Sequence, residues 1–364
     1  MPAPKRNNRV SVREIAEQLG ISVATVSRAM NLHPDVSSAT RARVLATADD
    51  LGYLPSVGKR PMNVIGLAYP TQPVRADYGN FESAMLAGML RGINERSYDL
   101  KFINLERDHD PSERYTHFFR RKGIRGVIIR KIQPASDLAE RIAADGFPVL
   151  LIADRSDDST VNYIYCDSRA DSARAIDHLV NLGHRRIALA VHAVVDSDHQ
   201  DRLDGYRDAL RRHGIDEDER LQIRAMASVE GGAFVIDRLL SLPKPPTAIY
   251  ITDPLTTVGA LHRCLQLGIR VPQELSIVGF DDGDVRYRTF PNYTAVCQDA
   301  EQLGLEAARW LTEVVDTGNV TALRAHRPTT LSINESTGVC PASSVRLMED
   351  GTVRRDRVPQ GGRF

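Results

Sequence analysis

Cysteine is scarce in this chain: there are four in 364 residues, Cys166, Cys264, Cys297 and Cys340, far apart and in no C-x-x-C pair. That spacing argues against a disulfide framework or a zinc site and predicts free thiols. Long apolar runs are missing as well, so no stretch reaches the roughly 20 apolar residues that span a bilayer, and no membrane partner is expected. The opening MPAPKRNNR is polar and basic without an apolar core, which predicts no secretion signal and a cytoplasmic protein. Catalytic signatures are absent too. There is no G-x-G-x-x-G, P-loop, G-x-S-x-G or H-E-x-x-H, so dinucleotide, nucleotide-hydrolysing, serine-hydrolase and zinc-protease chemistry find no residues to carry them. The expectation is no enzyme, no cofactor and no metal. The acidic stretch DSDHQD at 196–201 lacks the glycine and terminal glutamate of a calcium loop and reads as solvated acids near a helix start. His184 has no partner at ligand spacing and reads as structural.

A net charge of one sign is also lacking, since 47 basic residues balance 47 acidic ones. The balance is not local. Up to Arg60 there are nine basic residues and five acidic, so the first 60 residues carry +4 and the remainder −4. A basic end on a mildly acidic body suits phosphate attraction at that end only.

That end also carries the densest local signals. Ser11 and Glu14 form an S-x-x-E capping box ahead of Val12, Ile15, Ala16 and Leu19, and Gly20 stops the helix. Ser22 caps a second helix after two residues, which is helix-turn-helix spacing. Val26 turns inward, leaving Val23, Ala24, Thr25, Ser27 and Arg28 outward. Small residues let a helix approach base edges, hydroxyls meet bases or phosphates, and an arginine grips guanine bidentately. Ser11, Ser22 and Asn31 complete the set expected near DNA, and a third helix over about 38–51 closes the head.

From Asn63 onward helices alternate with short β-branched runs. NVIGLAYP, YDLKFIN, GVIIRKI, FPVLLIAD and NYIYCD form one set; RRIALAVH, LQIRAMA, TAIYITD and LSIVGFDD form another. Apolar runs flanked by helices are the pattern of parallel strands buried on both faces, and two sets predict two doubly wound α/β lobes. Ligands in such sheets sit beyond the carboxyl ends of strands. Asp154, Arg155, Thr252, Asp253, Asp281 and Asp282 stand there, and Arg202 opens a helix after RRIALAVH. Converging carboxylates and one guanidinium would bind the hydroxyls of a small polyol. The same aspartates are also placed to cap helices.

The order of these segments, ISVATVSRAMN, VSSATRARVLATADDLGY, NVIGLAYP, HLVNLGHRRIALA, RLDGYRDAL, ITDPLTTVGALHRCLQLGIRVPQELSIVGFDD and PNYTAVCQDAEQLGLEAARWL, resembles the lactose and galactose repressor (LacI/GalR) family over about residues 10–337. The resemblance implies an α/β protein: a three-helix helix-turn-helix head on two lobes of periplasmic-binding-protein type. Its implied parts are a flexible basic arm (1–9), the DNA-binding head (10–54), a linker (55–63), and an effector-binding and dimerisation body (64–337). Lobe 1 would comprise 64–162 and 293–325, and lobe 2 163–292 and 326–337. Residues 338–364 lose periodicity and are expected to be a disordered tail.

The implied function is a homodimeric, nucleoid-associated transcriptional regulator, a repressor, that holds a pseudo-palindromic operator and responds to a small polar effector, a sugar or sugar derivative. A solute-binding protein of the same two-lobe fold is the alternative, which the head argues against. The resemblance makes Arg202 and Asp281 the leading effector contacts, with Asp154, Thr252 and Asp253 beside them. Two departures stand out. Thr252-Asp253 replaces the usual Asn-Asp, and TQPVRADYGNF lacks the usual N-P-F-F, leaving Tyr78 and Phe81 to stack on a ligand or simply to pack. The linker is shorter than the family's, and Gly58 and Pro61 oppose a helix there. An extended linker is expected, with Lys59 and Arg60 on phosphates or in the minor groove, and Val57 or Met62 as the alternative, a wedge between bases.

Overall fold

The computed structural model describes residues 10–31, 33–51, 53, 63–69, 80–130, 137–193, 197–319 and 321–357. Three helices form the head: α1 (Val12–Leu19), α2 (Val23–Met30) and α3 (Ser38–Asp50). Each starts where a serine hydroxyl replaces a missing intrahelical partner. Ser11, Ser22 and Ser37 accept from the backbone N–H groups of Glu14, Thr25 and Thr40. Gly20 ends α1 at φ 66°, a left-handed conformation that glycine adopts without a Cβ penalty. Ile15, Ala16, Val26, Ala29, Met30, Val44 and Ala48 then close a small core of their own.

Lobe 1 opens with β1 (Val64–Tyr69), α4 (Asn80–Asn94), β2 (Asp99–Asn104), α5 (Leu105–Asp108), α6 (Tyr115–Arg121), β3 (Gly126–Arg130), α7 (Leu138–Ala144), β4 (Val149–Ile152) and β5 (Asn162–Asp167). Lobe 2 follows with α8 (Arg169–Asn181), β6 (Ile187–His192), α9 (Ser197–Arg212), β7 (Gln222–Ala225), α10 (Val229–Leu240), β8 (Ala248–Ile251), α11 (Pro254–Gln266), β9 (Ser276–Asp281) and β10 (Thr294–Cys297). The chain returns to lobe 1 for α12 (Ala300–Thr317) and β11 (Arg324–Pro328), then to lobe 2 for β12 (Thr330–Ser332). The sheet orders are β11-β5-β4-β3-β1-β2 and β12-β10-β9-β8-β6-β7, parallel throughout except for β12. Both sheets are covered on two faces, which is why strands such as β1, β4 and β9 are buried at every position. In lobe 1, α4 and α12 meet backbone to backbone: a Cβ on Gly88 would collide with the Glu301 carbonyl, and one on Gly304 with that of Met85.

Two expectations, the lobe crossings and the tail, need correction. The crossings expected near 163, 292 and 325 fall after Asp167, Cys297 and Pro328. NYIYCD is not the entrance to lobe 2 but β5, bonded between β4 and β11, with Ile164 and Cys166 in the lobe 1 core. TAVC likewise stays in lobe 2 as β10, beside β9.

The expected disordered tail is the second correction, because β13 (Ser343–Leu347) and β14 (Val353–Arg357) form an antiparallel hairpin on lobe 2. Val345 is buried in that lobe's core, and Arg355 pairs with the nearly buried Glu274. The Gly338 carbonyl and Cys340 N–H anchor the approach to it through His184 and the Leu182 carbonyl. His184 is structural as expected, fully buried between Thr247, Ser276 and Gly338.

Candidate DNA-reading face and effector cleft

On the head, α2 turns Val26, Ala29 and Met30 inward and leaves Ser22, Val23, Ala24, Ser27 and Arg28 exposed. Arg28 has no side-chain partner among the described residues, so its fork of donors is available to an acceptor from outside. Other members of the expected set are engaged locally. The Ser11 hydroxyl and N–H both serve the capping box with Glu14, at 3.4 and 2.7 Å. Thr25 is half-buried with its hydroxyl 2.8 Å from that of Ser22. The Asn31 amide donates to the Ser27 carbonyl at 2.8 Å, holding the end of α2. Val23, Ala24, Ser27 and Arg28 thus form the open surface. Lys59, Arg60, Val57 and Met62 lie outside the described residues, as does Tyr78.

The candidate effector site is assembled from strand ends of lobe 2 and from α9. Arg202, one turn and a half into α9, is only 5% exposed. Its guanidinium lies 3.6 Å over the Phe280 ring, and Nη1 donates to the Thr252 carbonyl at 2.8 Å. Its Nε is buried without a hydrogen-bond partner, and so is the hydroxyl of fully buried Thr252. An unsatisfied buried donor costs about 1–3 kcal/mol, so neighbouring orphans are a reservoir that a hydroxylated ligand would relieve.

The two aspartates at the end of β9, Asp281 and Asp282, divide their work. Asp281 is turned into its own loop, accepting from the Val285 N–H at 3.0 Å and from Arg286 at 2.5 Å. Asp282 accepts from the Gln298 amide at 2.6 Å and feels the charges of Arg202 and Asp253. Asp282, rather than the Asp281 singled out in the sequence, is therefore the carboxyl set beside Arg202. Gln298 sits at the second crossing between lobes, and its Oε1 is buried without a partner. Burial pushes the Asp282 carboxyl up to about 7, against the pull of Arg202 and Gln298.

A stability prediction follows from that direction. A carboxyl raised in the folded state and near 3.9 when unfolded binds an extra proton natively between about pH 4 and 7, so its contribution to stability falls as pH rises through that window. Asp282→Asn should remove this slope. Urea unfolding of ligand-free protein should show the variant gaining most over wild type near pH 8 and gaining little near pH 4–5; an advantage independent of pH would contradict it.

The other expected cleft residues are distributed differently. Asp253 caps α11, accepting from the Thr256 N–H and hydroxyl at 2.8 and 2.9 Å. Asp154, buried at the end of β4, accepts from Ser197 of lobe 2 and from the Arg155 N–H. Phe81 packs at the edge of the lobe 1 core with Arg130 stacked 5.0 Å from its ring centre. Asp154 thus bridges the lobes, and Phe81 is packing.

The acidic stretch read as solvated is a correction. Asp198 and Asp201 lie in the first turns of α9 and are 5% and 4% exposed. Asp201 takes a bidentate grip from Arg155 of lobe 1 at 2.5 and 2.9 Å, and Arg155 also lies over Tyr165. The spacing of Asp198, Asp201 and Arg202, at i, i+3 and i+4 of one helix, was the signal that they share a face.

Comparison with known proteins agrees with both halves. Residues 11–56 match the family described as bacterial regulatory proteins, lacI family, and residues 176–337 match a periplasmic binding protein-like domain. Catabolite control protein A of Priestia megaterium is 25% identical over 334 residues, spanning 90% of this chain and 99% of that protein. The HTH-type transcriptional repressor CytR of Escherichia coli (strain K12) is 28% identical over 313 residues, spanning 84% and 90%. Among solved structures, a complex of the transcriptional regulator CelR with cellobiose superposes with a TM-score of 0.63 at 25% identity, covering 90% of this chain and all of that one.

Proposed function

The chain belongs to the lacI family of bacterial regulatory proteins, and from that premise we propose a homodimeric transcriptional repressor whose hold on a pseudo-palindromic operator is set by a sugar bound between the lobes. The observation that carries the effector half is the cluster at the carboxyl ends of β8 and β9: the orphaned Arg202 Nε and Thr252 hydroxyl beside the Asp282 carboxyl. That set presents donors and an acceptor to a ring of hydroxyls. The cellobiose held by the regulator CelR is a ligand of this chemical class.

The DNA half rests on the open face of α2. One head reads too few base pairs to find a site in a genome, whereas two related by a dyad read an inverted repeat. Such a protein works where the chromosome is, in the cytoplasm. The test is twofold: selection of bound sequences from random duplex, expected to yield an inverted repeat, then a thermal-shift screen of neutral mono- and disaccharides, expected to yield a stabiliser that also changes operator affinity. A stabilising sugar with no effect on operator binding would remove the regulatory link.

A further inference from the structure

Beyond the DNA face and the cleft, the head has a second surface turned toward its own lobe 1. Helix α3 and the loop after α5 face each other across a crevice of about 410 Å³ lined by Ser38, Ala39, Arg41 and Ala42 on one side and Asp110 and Ser112 on the other. Charges of α3 stand near opposite charges of lobe 1 at both ends of the helix. In its first turn Arg41 faces Asp110, whose carboxyl is held low by Ser112 and further by the Arg41 charge. Two turns on, burial pushes the Asp49 carboxyl up while the charge of Arg114, the residue ahead of α6, pulls it down; Arg114 itself donates to Asp145 at 3.3 Å.

Burial agrees with this arrangement. Asp49 and Arg41 are half-buried, whereas Ala42, Arg43, Ala46 and Asp50 on the same helix are exposed. Arg41 donates to the His33 and Val36 carbonyls yet keeps a buried Nε with no hydrogen-bond partner. On the lobe side, His117 is 4% exposed with Nδ1 3.8 Å from Glu113, which Arg121 also holds at 2.7 Å.

We propose that α3 is a docking helix that seats the head on lobe 1 of its own chain across that crevice, with Arg41 set opposite Asp110 and Asp49 opposite Arg114. The seat leaves the outward face of α2 exposed, so it is compatible with DNA reading. It gives lobe 1 a direct hold on the head's orientation. Because opposite charges act across an open crevice rather than in direct ion pairs, the seat is labile: the screening length falls from roughly 20 Å at 0.02 M salt to about 3 Å at 1 M, and the hold weakens with it.

The test uses full-length protein with fluorophores at Gln18→Cys and Glu106→Cys, both exposed, in a background where the half-buried Cys297 and Cys340 are serine. Labelled chains are diluted into excess unlabelled chains so that only distances within a chain are read. At low salt the wild-type pair should give one narrow distance population that broadens at 1 M salt. Asp49→Arg should broaden it already at low salt, and adding Arg114→Glu should restore the narrow population, with helix content and melting temperature checked for each protein. A broad wild-type distribution at low salt, an Asp49→Arg protein as narrow as wild type, or failure of the paired reversal to restore it would each overturn the proposal. Mixing chains that each carry one of the two labels reads distances between chains, and a short distance found only in that mixture would overturn the assignment to the head's own lobe.

Discussion

Arg202→Ala is expected to weaken binding of the effector by roughly 30-fold to several thousandfold while leaving operator binding in place, because truncating one partner of a buried charge-assisted network costs on the order of 2–5 kcal/mol. The geometry makes Arg202 do three things at once. It stacks on Phe280, fastens the Thr252 carbonyl, and leaves its buried Nε without a hydrogen-bond partner. Removing it takes away a ligand donor and also the clamp between α9 and the end of β8. Arg202→Lys separates the two losses: the ammonium retains the charge but not the planar fork or the stacking, so an intermediate loss is expected. The measurement is calorimetric titration of whichever sugar the screen returns, alongside operator binding by the same variants. An Arg202→Ala protein that binds the sugar as wild type does would move the effector site elsewhere.

What the sequence disclosed followed from how local its signals were. The head was legible because a capping box, a glycine stop and a serine cap each act within four residues, and all three stand where the spacing put them. The strands were legible because parallel sheets covered on both faces leave unbroken apolar runs. The lobe crossings were not, since β5 and β10 each stand next to a crossing and only pairing tells which sheet each joins. The hairpin at 343–357 escaped for a related reason: its strands are short, arginine-rich and half-exposed, and one buried side chain, Val345, with one ion pair, Arg355 to Glu274, seats it. The choice between Asp281 and Asp282 was likewise invisible. Both stand at the end of the same strand, and Arg286, five residues on, captures the first, leaving Asp282 beside Arg202.

At the other end of the molecule, Arg28→Ala should lower operator affinity by about 1–3 kcal/mol, roughly 5- to 150-fold, if the guanidinium grips a base edge with two hydrogen bonds. The structure favours a base over a structural role. Arg28 projects from the exposed side of α2, next to Ala24 and Ser27, and holds no side-chain partner among the described residues. The fold of the head should therefore survive its removal, since Ile15, Val26, Ala29 and Val44 carry the core. Two readouts separate base reading from phosphate contact. A base contact relaxes the preference at one position of each half-site and leaves the salt dependence of binding nearly unchanged, whereas a phosphate contact weakens all sequences alike and lowers the salt slope by about one. Selection from random duplex that returns the same consensus for wild type and Arg28→Ala, at equal affinity, would take Arg28 out of the reading face and leave Val23, Ala24 and Ser27 to carry it.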